Sequence, residues 1–220
     1  MAKFIGRRVD AGLARETTRG TALNPTYWLP KINVTFDEKA DITRSGESLG
    51  IIAEDIDRFR TGVYAEGNFD GEVRELTFGL LLYSVLGTLS TVNNGDSTGT
   101  HSFSIAESNQ HQSLALLFQD PISATLGHMF ALSMINELSL DIGSGINDRI
   151  LKYTANFMSK RSDDWGIQTA SYSAENRFQH QHLTFKLAAT VGALGASTAI
   201  SLKSLTLTFS KNAIRDWVMG

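Results

Sequence analysis

Apolar and polar residues alternate in several short runs along this chain. Ile32, Val34 and Phe36 alternate with Asn33, Thr35 and Asp37, the period-two pattern of a half-buried strand. Across 63–73 the alternation puts Glu66, Asn68, Asp70, Glu72 and Arg74 on one face and Gly67, Phe69, Gly71 and Val73 on the other. The first of these faces should be wet. Further strand-like runs lie at 101–105, 113–118, 129–142, 150–159, 183–189 and 205–209. The pattern changes only at 75–89, which reads as a helix. There Leu76, Leu80 and Tyr83 fall on one side and Phe78, Leu81, Leu82, Val85, Leu86 and Leu89 crowd another. A helix apolar nearly all round is buried on several sides, so cover by a partner is expected as well as by its own sheet. Turn clusters at 93–99, 141–147 and 192–197 separate the runs. Many short strands, one helix and no βαβ rhythm predict a mainly β fold: a β-sandwich or partly closed β-barrel flanked by one α-helix.

Two stretches do not fit a closed domain. Residues 1–30 show little periodicity and hold Gly6, Gly12, Gly20, Pro25 and Pro30, so they are expected to form an extended N-terminal arm before a domain at 31–220. Tyr27 and Trp28 should dock the end of that arm. Residues 44–62 are polar and charged, yet contain Ile51, Ile52, Ile56 and Phe59. That is long for a loop in a compact domain, and its apolar residues predict a protruding hairpin covered by a neighbouring subunit. The runs at 32–40 and 205–213 resemble each other, either through internal duplication or as two ordinary amphipathic strands.

Composition narrows the chemistry. With no cysteine, disulfides, Cys-based zinc sites and a Cys nucleophile are excluded. The formal charge of −3 and the lack of a basic block do not favour tight binding to nucleic acid. The N-terminus lacks the apolar run of a signal peptide, and the run 80–89 is too short to span a bilayer, so a soluble protein folded in a cytoplasm is expected. No phosphate-binding, zinc-protease or nucleophile-elbow motif is present. His180 and His182 would share a strand face and with Glu175 could hold zinc, but no third ligand stands at diagnostic spacing. Glu107 and His111 read as a hydrogen-bonded turn. The pairs Asp163–Asp164 and Asp55/Asp57 lack the Gly and distal Glu of a calcium loop. No catalytic residue, metal or cofactor is assigned, and the chain is not expected to be an enzyme.

The stretch 12–22 followed by Tyr27-Trp28-Leu29-Pro30, then 65–69 leading into Leu80-Leu81-Leu82, then 135–140 before the strand 153–160, resembles the tail tube (major tail) proteins of long non-contractile-tailed phages. The resemblance covers most of the chain and rests on diffuse patterns of loop and strand. It implies a β-sandwich flanked by a helix. Subunits of this type form hexameric rings that stack into a hollow tube, which encloses the tape measure protein and later conducts DNA without binding it specifically. Tail terminator and distal tail proteins are the implied partners, with no membrane, and the location is the virion tail, assembled in the host cytoplasm. The arm and the long loop would contact adjacent rings, which makes Arg15, Glu16, Tyr27, Trp28, Arg44, Glu47, Ile56, Arg58 and Phe59 the candidate contact residues. Glu66, Asp70 and Glu72 are the candidate lumen residues, because an acidic bore repels phosphate; an outer solvated face is the competing reading. Some relatives carry a further C-terminal domain, which this chain lacks or has lost. A tail terminator or adaptor ring is an alternative, as is a carbohydrate-binding β-sandwich, although Trp28, Trp165 and Trp217 are scattered in sequence.

Overall fold

The computed structural model describes residues 8–44, 58–96, 98–123, 125–145 and 148–215. Its elements in chain order are β1 (Asp10–Arg15), β2 (Tyr27–Trp28), β3 (Asn33–Arg44), β4 (Arg58–Glu72), α1 (Phe78–Leu86), β5 (Gly87–Asn93), β6 (Gly99–Ile105), β7 (Leu114–Gln119), β8 (Leu126–Gly143), β9 (Lys152–Lys160), β10 (Ser162–Gly166), β11 (Phe185–Lys186), β12 (Ala199–Ile200) and β13 (Ser204–Ser210). Among the described residues, nine strands form one antiparallel sheet that does not close into a barrel. It folds over on itself because β8 serves two layers. The first part of β8 pairs with β7 and β10, and the second part with β9 and β13. The switch falls at Leu132, whose φ of 56° is left-handed and costly for a residue with a Cβ, next to a register shift between Ile135 and Glu137. One layer runs β2-β1-β7-β8-β10 and the other β13-β8-β9-β4-β3. The expected mainly β, sandwich-like architecture with one helix is the one observed.

The layers meet at an aromatic cluster. Phe69 and Phe157 from one layer stack at 4.7 Å, and Phe69 meets Phe118 of the other at 5.5 Å. Phe36 lies 4.9 Å from Phe130. Tilted and edge-on ring pairs at such spacings stabilise beyond the area they bury. Helix α1 closes one side of this core with Phe78, Leu81 and Val85.

Several expectations are corrected here. Residues 10–29 are not an arm: β1 pairs along its whole length with β7, and Leu13 is almost wholly buried. Its alternation is hidden by small residues, since Gly12 sits where a Cβ would strike Pro25 and Trp28. The hairpin strands run further than expected, with 58–62 belonging to β4 rather than a loop; Glu47 and Ile56 lie outside the described residues. Helix α1 is shorter than 75–89 because Gly87, at φ 94°, ends it and the chain turns directly into β5. Leu80, Leu82 and Leu86 pack against the core, so the helix itself is covered within the chain on that side, while Leu76 before it and Leu89 after it stay exposed. Finally, the run 183–189 is a strand only at β11, and His180 and His182 sit in a 3₁₀ turn.

Candidate functional site

Alternation in five neighbouring strands builds one continuous polar surface. On β4, Ala65, Phe69 and Val73 point into the core, which turns Glu66, Asn68, Asp70 and Glu72 outward. The register carries this face sideways. Asp70 lies opposite Asn33 on β3 and Thr154 on β9, and Glu66 lies opposite Asp37 and Met158. Across β9, Glu137, Ser139 and Asp141 of β8 continue it, followed by Ser210, Thr208 and Thr206 of β13. Glu72 and the two arginines that hold it aside, the carboxylates Asp37, Asp41, Glu66, Asp70, Glu137 and Asp141 outnumber the cations Lys39, Lys152, Lys160 and Arg215, the last lying over the Tyr64 ring, on this surface. The face is therefore acidic as well as wet.

Its groups are held by one another. Lys39 bridges to Glu66, which raises the lysine's proton affinity. Asn68 donates to Asp70 at 3.1 Å. Glu137 accepts from Asn156 at 3.3 Å and Ser210 at 3.0 Å, and Asp141 accepts from Thr206 at 2.6 Å. Glu72 differs from the rest, because Arg74 at 2.7 Å and Arg177 at 3.0 Å both hold it. Of the three candidate lumen acids, Glu66 and Asp70 stand mid-face, whereas Glu72 is neutralised at one end. Both lateral edges of the layer are open among the described residues: β3 pairs only with β4, and β13 only with β8. Beyond Tyr64, β4 leaves β9 and continues with β3 alone as a two-stranded ribbon, where Ile42 and Phe59 are exposed. Arg44 and Arg58 end this ribbon, directly opposite each other.

The candidate contact residues of the N-terminal stretch separate into two kinds. Tyr27 is exposed, and Arg15 lies over the Tyr83 ring at 4.9 Å while donating to Gln112 at 3.1 Å. Trp28 instead points inward and packs on Ala14, Leu117 and Met129. Glu16 is only 3 % exposed and is an internal fastening rather than a contact. Its carboxylate accepts from Gly20 N at 2.6 Å, Ser113 Oγ at 2.5 Å and Leu132 N at 2.7 Å. No single-residue pattern reveals such a role, because its donors come from three separate parts of the chain. Glu175 was also missed as a structural residue. It accepts from Leu76 N, Thr77 N and Thr77 Oγ at 3.0–3.1 Å, and so caps α1 from 98 residues away in sequence.

The chemical candidates are dispersed. Both ring nitrogens of His111 face backbone carbonyls, those of Val85 and Ala106, and Glu107 is not among its partners. Among the described residues, no three His, Cys, Asp or Glu side chains come together as a metal site, and no helix is long and apolar enough to cross a membrane. Lys211 extends from the end of β13 to donate to Ser84 O at 2.5 Å. Burial, and then the charge of Arg19, push this lysine down to about 8 from its ordinary 10.5. The unfolded chain thus binds more protons between about pH 8 and 10.5, and this group's contribution to stability rises with pH across that window. Lys211→Met is expected to flatten that rise, read as a smaller pH-dependent gain in Tm than in the unaltered protein.

The family model described as phage tail tube protein matches residues 6–219. A search of curated proteins finds no match. A chain in the cryo-EM structure of the anti-feeding prophage (AFP) baseplate, 6-fold symmetrised, is similar at 11 % identity and a TM-score of 0.46, over 77 % of this chain and 99 % of that one.

Proposed function

Since the chain belongs to the phage tail tube protein family, we propose that it assembles into six-membered rings that stack to form a tail tube, with the acidic β3-β4-β9-β8-β13 face lining the bore. The observation that carries this reading is that face, polar on all five strands, backed by the core and, among the described residues, flanked by two open edges. Joining one copy's β3 edge to the next copy's β13 edge extends the sheet laterally, satisfies the unpaired backbone groups and leaves no edge once the ring closes. The ribbon of β3 and β4 then reaches toward the neighbouring ring, where Arg44, Arg58 and Phe59 make contact. The tube encloses the tape measure protein, meets tail terminator and distal tail proteins at its ends, and lets DNA pass. Salt screens charge over roughly 8 Å, so the acids on the bore act on passing phosphate while those on the outside do not.

Negative-stain microscopy of the purified protein tests this. Rings or tubes are expected. A protein that stays monomeric at high concentration, even with its initiating tail complex, defeats the reading, and rings that never stack point to a terminator or adaptor instead. A second test separates a lumen from an outer face. Replacing Glu66 and Asp70 together with lysine should leave tube formation intact and slow DNA ejection, measured on assembled particles. Unchanged ejection places the acidic face outside.

A further inference from the structure

A second, uncharged surface stands apart from the acidic face. Residues 183–202 form a small lobe in which, among the described residues, β11 and β12 pair only with each other. Within these residues Lys186 is the single charged side chain, and its Nζ is spent on Gly195 O at 3.0 Å. Its exposed side chains are apolar groups and hydroxyls, among them Thr184, Thr190, Thr198 and Ser201. Val191 is 90 % exposed and Leu187 64 %, with Leu194, Ile200 and Leu202 also exposed. Hypothetical Cβ atoms at Gly192 and Gly195 would meet nothing within 4 Å, so the tip stands clear of the body. A two-stranded hairpin is marginal in water by itself, and a clustered apolar surface of this kind marks an interaction site. The root is fixed to the turn after β8 by Ser144 N donating to Lys203 O at 2.9 Å and His180 N donating to Arg149 O at 2.8 Å.

The same chain carries a receptor of matching chemistry. A cleft of about 610 Å³ opens between β2, α1 and the β5–β6 hairpin, with Tyr27, Leu76, Leu80, Leu89 and Phe103 on its walls. Tyr27, Leu76 and Leu89 are exposed there. Its charged lining groups are committed within the chain: Arg15 to Gln112 and the Tyr83 ring, Glu175 to the start of α1, and Glu75 to the Asn176 side chain at 3.0 and 3.1 Å. The cleft therefore offers an incoming group mainly apolar contact and suits an uncharged occupant. No residue of 183–202 lines it.

We propose that the lobe 183–202 of one copy seats in the β2–α1–β5 cleft of the next copy in the ring. This rests on the ring reading above and names a contact between its members. Knob and hole are different surfaces of one chain, so the contact is heterologous, the kind that propagates from copy to copy and closes into a ring. It also explains why the segment 183–202 keeps an almost uncharged sequence on an exposed site.

The absence of cysteine makes the test direct. Val191→Cys and Leu76→Cys are prepared separately and assembled as a mixture, then treated with a short bismaleimide. A covalent dimer is expected from the mixture and from neither variant alone, and the double variant should give a ladder that stops at the ring number. Tubes that form without cross-linking overturn the proposal and leave the ring reading standing. So do Val191–Val191 dimers, or a link within one chain in the double variant. Unaltered protein that never assembles overturns both. Val191→Asp provides the second readout: because Val191 is so exposed, the monomer's Tm should stay unchanged while ring yield falls at least tenfold, and an undiminished yield counts against the lobe.

Discussion

Replacing Glu16 with alanine is expected to lower the unfolding free energy by about 4 kcal/mol, read from the urea midpoint. Three donors converge on this one buried carboxylate. Hydrogen bonds to a charged group each contribute roughly 1.5–3 kcal/mol, and removing the acceptor leaves buried donors unpaired. The bond from Leu132 N matters most, because Leu132 holds the left-handed conformation at which β8 passes from one layer to the other. Gly20, at φ 77°, closes the turn that follows Glu16 and donates to the same carboxylate. One side chain thereby fastens the end of β1, the loop after it and the bend in β8. Glu16→Gln should cost less, about 2 kcal/mol, since an amide retains one acceptor oxygen but turns its NH₂ toward a donor. A loss below 1 kcal/mol in both variants would show that the bend holds without this fastening.

Gly67→Ala is expected to cost about 3 kcal/mol and to abolish ring formation. A Cβ at Gly67 would lie 1.9 Å from the Thr35 carbonyl oxygen and 2.6 Å from Phe36 Cα. No rotamer relieves this, because both contacts are with backbone. Strand β4 cannot yield, since Ala65 and Phe69 on either side of Gly67 are fully buried and β9 pairs along it. Strand β3 must therefore move, taking Phe36 out of the aromatic cluster and displacing the open edge proposed to join the next copy. Amide hydrogen exchange should show protection lost in β3 and kept in β9. Equal loss in both strands would mean the layer unfolds as a unit, and rings of normal yield would remove β3 from the proposed contact.

Periodicity exposed much of this architecture. The alternation at 63–73 correctly separated the acidic face from the core face of β4, because each strand carries its own inside and outside. The final strand 205–209 was equally legible, being apolar on alternate positions, and the run 129–142 through its length and its largely apolar content. The strand at 10–15 was not, because Ala11, Gly12 and Ala14 supply little hydrophobic contrast and its partner lies 100 residues on. Nor was the limit of α1, whose apolar run continues through Gly87 while the backbone turns there into β5.

By itself the sequence determined which residue types were available: alternating strands, acids gathered on one strand face, no cysteine and no catalytic motif. Those are local properties, set by side-chain chemistry and a period of two. Only the tertiary structure decided which acids matter together. Glu16 was one charge among many until donors from residues 20, 113 and 132 surrounded it. Glu66, Asp70, Glu137 and Asp141 became one surface through strand register, while Glu72 was set apart by two arginines. Burial, pairing and shared faces depend on which distant segments meet, and that is fixed by packing of the whole chain rather than by any stretch of it.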